Sequence, residues 1–129
     1  MAPPAKLLAG ALFAALAISA QAEQVVCHLN YGGQEQLLSA RPTETPYTVK
    51  PTPVGSYFLF RIVFRTSPAD LAGIKLYTYV DQSSGPALIH QASYPYPVSQ
   101  GFTGKQRVYE PVRDSELEYW CELTAEVSK

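Results

Sequence analysis

Cys27 and His28 stand side by side in the chain, and a second thiol lies far away at Cys121. A thiolate beside an imidazole is the material of a nucleophile or a metal ligand. Neighbours along an extended chain point to opposite faces, however, so His28 cannot orient on the sulfur next to it. Two cysteines allow a single intramolecular pairing. In an oxidising compartment, the expectation is a Cys27–Cys121 disulfide rather than a reactive thiol.

The only other histidine is His90, and the single methionine is Met1. With the thiols bridged, the soft ligands that Cu(I) favours are missing. A copper or zinc site would have to combine His28 and His90 with a nearby carboxylate, which is kept as an alternative reading. Asp114, Glu116, Glu118 and Glu122 form an acidic group near the end of the chain. Glu116 and Glu118 project on one side of a strand, roughly 7 Å apart by strand rise, a spacing suited to a hard cation or paired-carboxylate hydrolysis. Nothing around them resembles a calcium loop, so a solvated, charged strand face is expected. Trp120 sits among these glutamates and is expected to pack across a neighbouring strand.

The aromatic residues are the best functional lead. Tyr77 and Tyr79 share a strand face with Lys75, while Tyr94 and Tyr96 alternate with Pro95 and Pro97. Tyrosines on a proline-stiffened loop lose little entropy on docking, and such rings suit a glycan or a protein interface. A recognition surface built from Tyr94, Tyr96, Tyr77 and Tyr79 is therefore expected, with Lys75 and Arg107 giving polar fixation. No G-x-S-x-G elbow, glycine-rich phosphate loop, HExxH helix or CxxC pair is present, which removes the enzyme classes with a readable signature. The expectation is a non-enzymatic binding module with no cofactor. The alternatives are metal binding and a small inhibitor of a cell-wall hydrolase.

These residues need elements to hold them, and the chain's start says where those elements fold. Residues 1–22 carry Lys6, an apolar run over 7–20 and a small-residue end at Ala20-Gln21-Ala22. That is the layout of a cleaved secretory signal, with an apolar stretch too short to stay as a membrane span. A periplasmic or secreted protein is expected, with one domain over 23–129 of the 129 residues. Its partner would be a protein or glycan of the cell envelope. The whole chain has a formal net charge of −1, which gives no electrostatic reason to expect nucleic-acid binding.

Past the leader, strand signals dominate. Val25, Cys27 and Leu29 alternate with Val26, His28 and Asn30, and 34–40 is a weaker strand. Prolines 42, 46, 51 and 53 make 41–54 an extended loop or edge strand. The strongest strand is 56–65, with Phe58, Phe60, Ile62 and Phe64 on one face and Arg61 and Arg65 on the other, a pattern for the middle of a sheet. Ser67 and Pro68 are placed to start a helical turn that Gly73 can end. Strands are then expected over 74–80, 87–93, 106–111 and 116–124, with 94–97 as a surface loop. Seven or eight short strands with regular turn signals predict an all-β fold, a small antiparallel sandwich of immunoglobulin type or a barrel. Its first and last strands would be joined by the disulfide.

Overall fold

The structure is a computed structural model that describes residues 22–126. The leader expected over 1–22 thus lies, apart from Ala22, outside the described residues. The chain forms two four-stranded antiparallel sheets, and of the two closures expected it takes the sandwich. Strands β1 (Glu23–Tyr31), β2 (Gln34–Ala40), β7 (Gln106–Glu110) and β8 (Ser115–Ala125) make one sheet in the order β2-β1-β8-β7. Strands β3 (Thr52–Val54), β4 (Phe58–Arg65), β5 (Gly73–Gln82) and β6 (Gly85–Pro95) make the other in sequential order, a meander.

Alternation explains the packing. β4 sends Phe58, Phe60, Ile62 and Phe64 inward, and β5 adds Ile74, Leu76 and Val80. From the other sheet Val25, Cys27, Leu29, Leu117, Tyr119 and Cys121 meet them. Phe60 tilts against Tyr119 at 5.0 Å between ring centroids, and Tyr31 meets Phe58 edge-on at 5.3 Å. Such offset and edge contacts add to what area burial alone supplies.

Cys27 and Cys121 are directly opposed in register on β1 and β8 and form a disulfide. The bridge therefore lies within one sheet and fastens its two central strands, the first and last of the fold. Both cysteines are fully buried. The β1–β8 ladder runs unbroken from Glu23 opposite Ala125 to Asn30 opposite Glu118.

β3 and β7 are too short to cover the whole length of their neighbours, and loops complete both ladders. Thr43 donates its backbone N–H to Phe64 beyond the end of β3. Leu123 donates to the Gln100 carbonyl, and Cys121 donates to Thr103 Oγ1 at 2.8 Å. Buried donors are satisfied in this way without lengthening an edge strand. Gly55 turns the chain from β3 to β4 at φ +64°, and a Cβ there would collide with the Tyr31 ring. Both facts call for glycine.

The turn between β4 and β5 differs from expectation. A 3-10 turn covers Ala69–Leu71, Pro68 occupies the cap position in extended conformation, and no side chain caps it. Ser67 is thus not the cap. With only three residues, the turn has little dipole for a serine to neutralise.

The β7–β8 turn holds an acid that the alternation pattern conceals. Glu110 is 2% exposed. Its carboxylate accepts from the backbone N–H groups of Val112 (2.7 Å) and Arg113 (3.0 Å) and from the Ser115 hydroxyl (3.2 Å). This closes a turn in which Asp114 takes a positive φ of 52°. Glu110→Gln keeps the volume but removes the charge from three hydrogen bonds. Urea denaturation is expected to show a loss of about 1.5–3 kcal/mol. Unchanged stability would mean that the turn closes without the carboxylate.

Candidate functional site

The outward face of the β3-β4-β5-β6 sheet carries the most developed surface feature. Along β4 it presents Leu59, Arg61, Val63 and Arg65; opposite them in register stand Tyr79, Tyr77, Lys75 and Gly73 of β5. Leu59 and Val63 are buried although they face away from the core. The chain before β3 and the Ala69–Leu71 turn flank this face, and between them runs a groove of about 480 Å³.

Arg61 builds one wall. Its Nε donates to the Val49 carbonyl at 2.7 Å and its Nη2 to the Pro46 carbonyl at 2.6 Å. The guanidinium also sits 4.9 Å from the centroid of the Tyr77 ring. One planar fork thereby ties the 3-10 turn Pro46–Thr48 to the sheet. That turn carries Tyr47, which is 96% exposed beside the groove. Arg61→Ala is expected to cost about 2–3 kcal/mol from the lost charge-assisted bonds and cation–π contact. It is also expected to speed amide exchange at Thr48 and Val49, whose N–H groups donate within the turn. Arg61→Lys, lacking the fork, should restore only part of either. Exchange at Thr48 and Val49 unaltered by Arg61→Ala would show that the turn is held by other contacts.

Tyr77 and Tyr79 lie nearly parallel, with centroids 6.4 Å apart and an interplanar angle of 25°. Tyr77 lines the groove, and Tyr79 continues the aromatic strip beyond it. Lys75 is exposed at the other end. Three of the expected residues are therefore brought together as a ring pair with a neighbouring cation.

Tyr94 also lines the groove while packing against the core, and Tyr96 and Arg107 are placed elsewhere. Tyr94 belongs to β6, not to a surface loop, because Pro95 falls at the last, edge position of the strand where its missing N–H costs no ladder bond. Tyr94 lies opposite the buried Ile74 and packs edge-on against Phe102 at 5.0 Å. Tyr96 leans on Phe64, and its hydroxyl donates to Glu23 at 2.6 Å. Burial raises the Tyr94 phenol above its ordinary value, and the bond to the Glu23 carboxylate, with burial second, raises that of Tyr96. Both rings are partly buried against the core. Arg107 stands on β7, in the opposite sheet, 3.6 Å from Glu116 and 3.7 Å from Glu118.

The outward face of that opposite sheet is laced by ion pairs. Lys105 reaches Glu118 at 2.8 Å, and this contact above all holds the Glu118 carboxyl below its ordinary range. His28 stacks on Trp120, its cross-strand neighbour, at 3.9 Å and 2° between planes. Its Nε2 meets Glu122 at 2.6 Å and its Nδ1 meets Glu35 at 3.3 Å. Trp120 thus packs across a strand as expected; Glu116 and Glu118 are paired with cations, Glu122 with an imidazole, and Asp114 accepts from the Tyr109 hydroxyl.

His90 does not join His28. It pairs with the buried Thr78 across β5 and β6, and its ring lies 6.5 Å from that of Tyr119 in the core. Its inward orientation follows from alternation with Ala92 and Tyr94, which stand opposite Leu76 and Ile74; a bulge lies just before it on the strand. The register shifts at Thr78/Tyr79, leaving Ile89 extra on β6. The two histidines thus belong to different sheets, one on an outer face and one inside. Among the described residues no group of three or more His, Cys, Asp or Glu side chains could hold a metal ion. Three buried polar atoms gather near His90: its own Nδ1, Thr78 Oγ1 and Tyr119 OH have no hydrogen-bonding protein partner among the described residues. Burial pushes the Tyr119 phenol strongly upward, with Tyr94 adding to the shift.

Sequence reasoning missed Tyr47, Arg61, Arg65 and Asp70 as groove residues. The outward alternation of Arg61 and Arg65 on a strand half apolar on that face was the available signal. No helix among the described residues is long and apolar enough to cross a membrane. No protein-family model matches the chain, and no curated protein or solved structure matches it either.

Proposed function

We propose that the protein is a non-enzymatic binding module of the periplasm or extracellular space, which takes its partner in the groove over β4 and β5. The observation that carries this reading is the convergence of Tyr47, Tyr77 and Lys75 with Arg61 and Arg65 on one open groove. Exposed rings supply contact area at low entropic cost, and the arginines and lysine supply directional donors. The module's rigidity comes from the sandwich behind it, whose disulfide is in keeping with an oxidising compartment. Tyr94 lines the groove while packing against the core, Tyr96 packs on Phe64, and Arg107 stays with its glutamates.

The test is capture from envelope extract by immobilised, oxidised protein, compared with the Tyr77→Ala/Tyr79→Ala variant. Both substitutions are on the outer face, so the sandwich should survive them. A glycan or protein retained by the wild type is expected to be lost from the variant. Identical retention by the two would remove this face as the binding surface.

A further inference from the structure

We infer that the groove recognises a carboxylate-bearing glycan, a segment of uronate type, with acid groups at the Arg65–Lys75 end and sugar faces on the Tyr77–Tyr79 strip. This inference rests on the proposed binding role and names its ligand.

Charge gives the first part. Arg61, Arg65 and Lys75 line the groove against one acid, Asp70. None of the three cations lies within ion-pair distance of a carboxylate among the described residues, although the opposite face pairs its cations with glutamates. Arg61 is occupied with backbone carbonyls. Arg65 is different: its Nε is buried and has no acceptor among the described residues. That donor is enclosed by protein, so a ligand meets Arg65 where the residue lines the groove, and a carboxylate is the group whose geometry best answers a guanidinium. Lys75 stands one register step away, opposite Val63, while Arg65 is opposite Gly73.

Geometry gives the second part. On β5 the outward residues run Gly73, Lys75, Tyr77, Tyr79, so the first ring follows the lysine by roughly 7 Å of strand rise. The two rings are stacked and nearly parallel, with the Arg61 guanidinium over Tyr77. The ring surface left free attracts the polarised C–H face of a sugar ring. An elongated ligand with an acid at one end and flat, hydroxyl-edged rings along the rest fits that order. Asp70 and Ser93 line the same groove as partners for hydroxyls.

An acidic peptide fits less well. β4 and β5 are the inner strands of their sheet and have neighbours on both sides. Their backbone groups cannot accept an added strand, the mode by which an extended peptide gains most of its directional bonds.

The experiment titrates oxidised wild-type protein with a galacturonate oligomer, its fully methyl-esterified counterpart and a poly-glutamate peptide of similar charge, by calorimetry at low and at physiological salt. The acidic oligomer is expected to bind at least ten-fold tighter than the ester and the peptide, and to weaken as salt rises. Lys75→Gln is exposed and safe for folding, and should weaken the acidic oligomer several-fold while leaving the ester unaltered. Arg65→Gln should weaken it by roughly ten-fold or more, the worth of a charge-assisted bond. Ester and acid binding alike would overturn the inference and leave a neutral-glycan site. Poly-glutamate binding as tightly as the oligomer would overturn it in favour of acidic peptides. Both results would leave the groove as the binding surface. No binding of any probe also overturns the inference, and the capture comparison with Tyr77→Ala/Tyr79→Ala then decides separately whether the groove binds anything.

Discussion

Replacing Cys27 and Cys121 together with alanine is expected to lower the unfolding free energy by about 4–5 kcal/mol. The bridge spans a sequence separation of 94, and in the chain-entropy model closing a loop of that size restricts the denatured ensemble by this amount. A small domain has about 5–15 kcal/mol in total, so the variant should stand close to the edge of folding. The native sheet should survive, because the ladder on either side of the pair continues from Glu23 to Asn30 and needs no sulfur. Urea unfolding of the variant should therefore show a lower midpoint and a retained strand signature by circular dichroism. A loss below about 1 kcal/mol would show that β1 and β8 already associate in the denatured chain, leaving little entropy for the bridge to remove.

The second large effect belongs to Tyr119. Its ring is buried against Phe60, while its hydroxyl has no protein partner among the described residues. Tyr119→Ala should cost about 3–5 kcal/mol, from lost apolar contact and the cavity left behind. Tyr119→Phe keeps the ring and should stay within about 1 kcal/mol of wild type. The contrast separates packing from hydrogen bonding at one position. A Phe variant as unstable as the Ala variant would mean that the hydroxyl carries the interaction.

The same residue sets an alkaline limit. A phenol whose value in the folded state is raised favours the folded state while both states are protonated. That contribution is complete below the ordinary tyrosine value near 10 and is lost as pH rises from there toward the folded value. Tyr94, Tyr96 and Tyr119 are all raised, so stability should fall above about pH 10. Tyrosinate absorbance should show part of the tyrosines ionising only together with unfolding.

Much of the frame could be read from alternation. Phe58, Phe60, Ile62 and Phe64 on one face gave β4 its inner position, and cysteines on the apolar faces of the first and last strands gave the bridge. Alternation tells which residues share a face, but not which sheet a strand joins. That is why Arg107 could be grouped with Tyr77 and Tyr79 although β7 lies in the other sheet. It also fails at a bulge: one extra residue on β6 puts Leu88 opposite the outward Tyr79, although His90, Ala92 and Tyr94 face inward. Pro95 and Pro97 suggest a loop around Tyr94, yet a proline at the last position of an edge strand interrupts nothing.

The groove was harder to read for a different reason. Its wall depends on Arg61 reaching carbonyls at Pro46 and Val49, a tertiary contact from a sheet to a proline-rich segment. Composition marks that segment as an extended loop or edge strand, which fits β3 at its end but does not place Tyr47. Tyr47 became a candidate once the fork had fixed its turn beside Tyr77. Glu110 escaped notice similarly, because its burial is set by the backbone of the turn after it.

Which face of the sandwich binds is tested most directly by amide chemical-shift mapping of the oxidised protein during titration with the galacturonate oligomer. Perturbations are expected at Lys75, Tyr77, Ser93 and Val63, with the exposed face of the other sheet, where Leu37 stands opposite His28 beside Trp120, unmoved. Shifts centred on His28, Leu37 and Trp120, with the groove silent, would contradict the account.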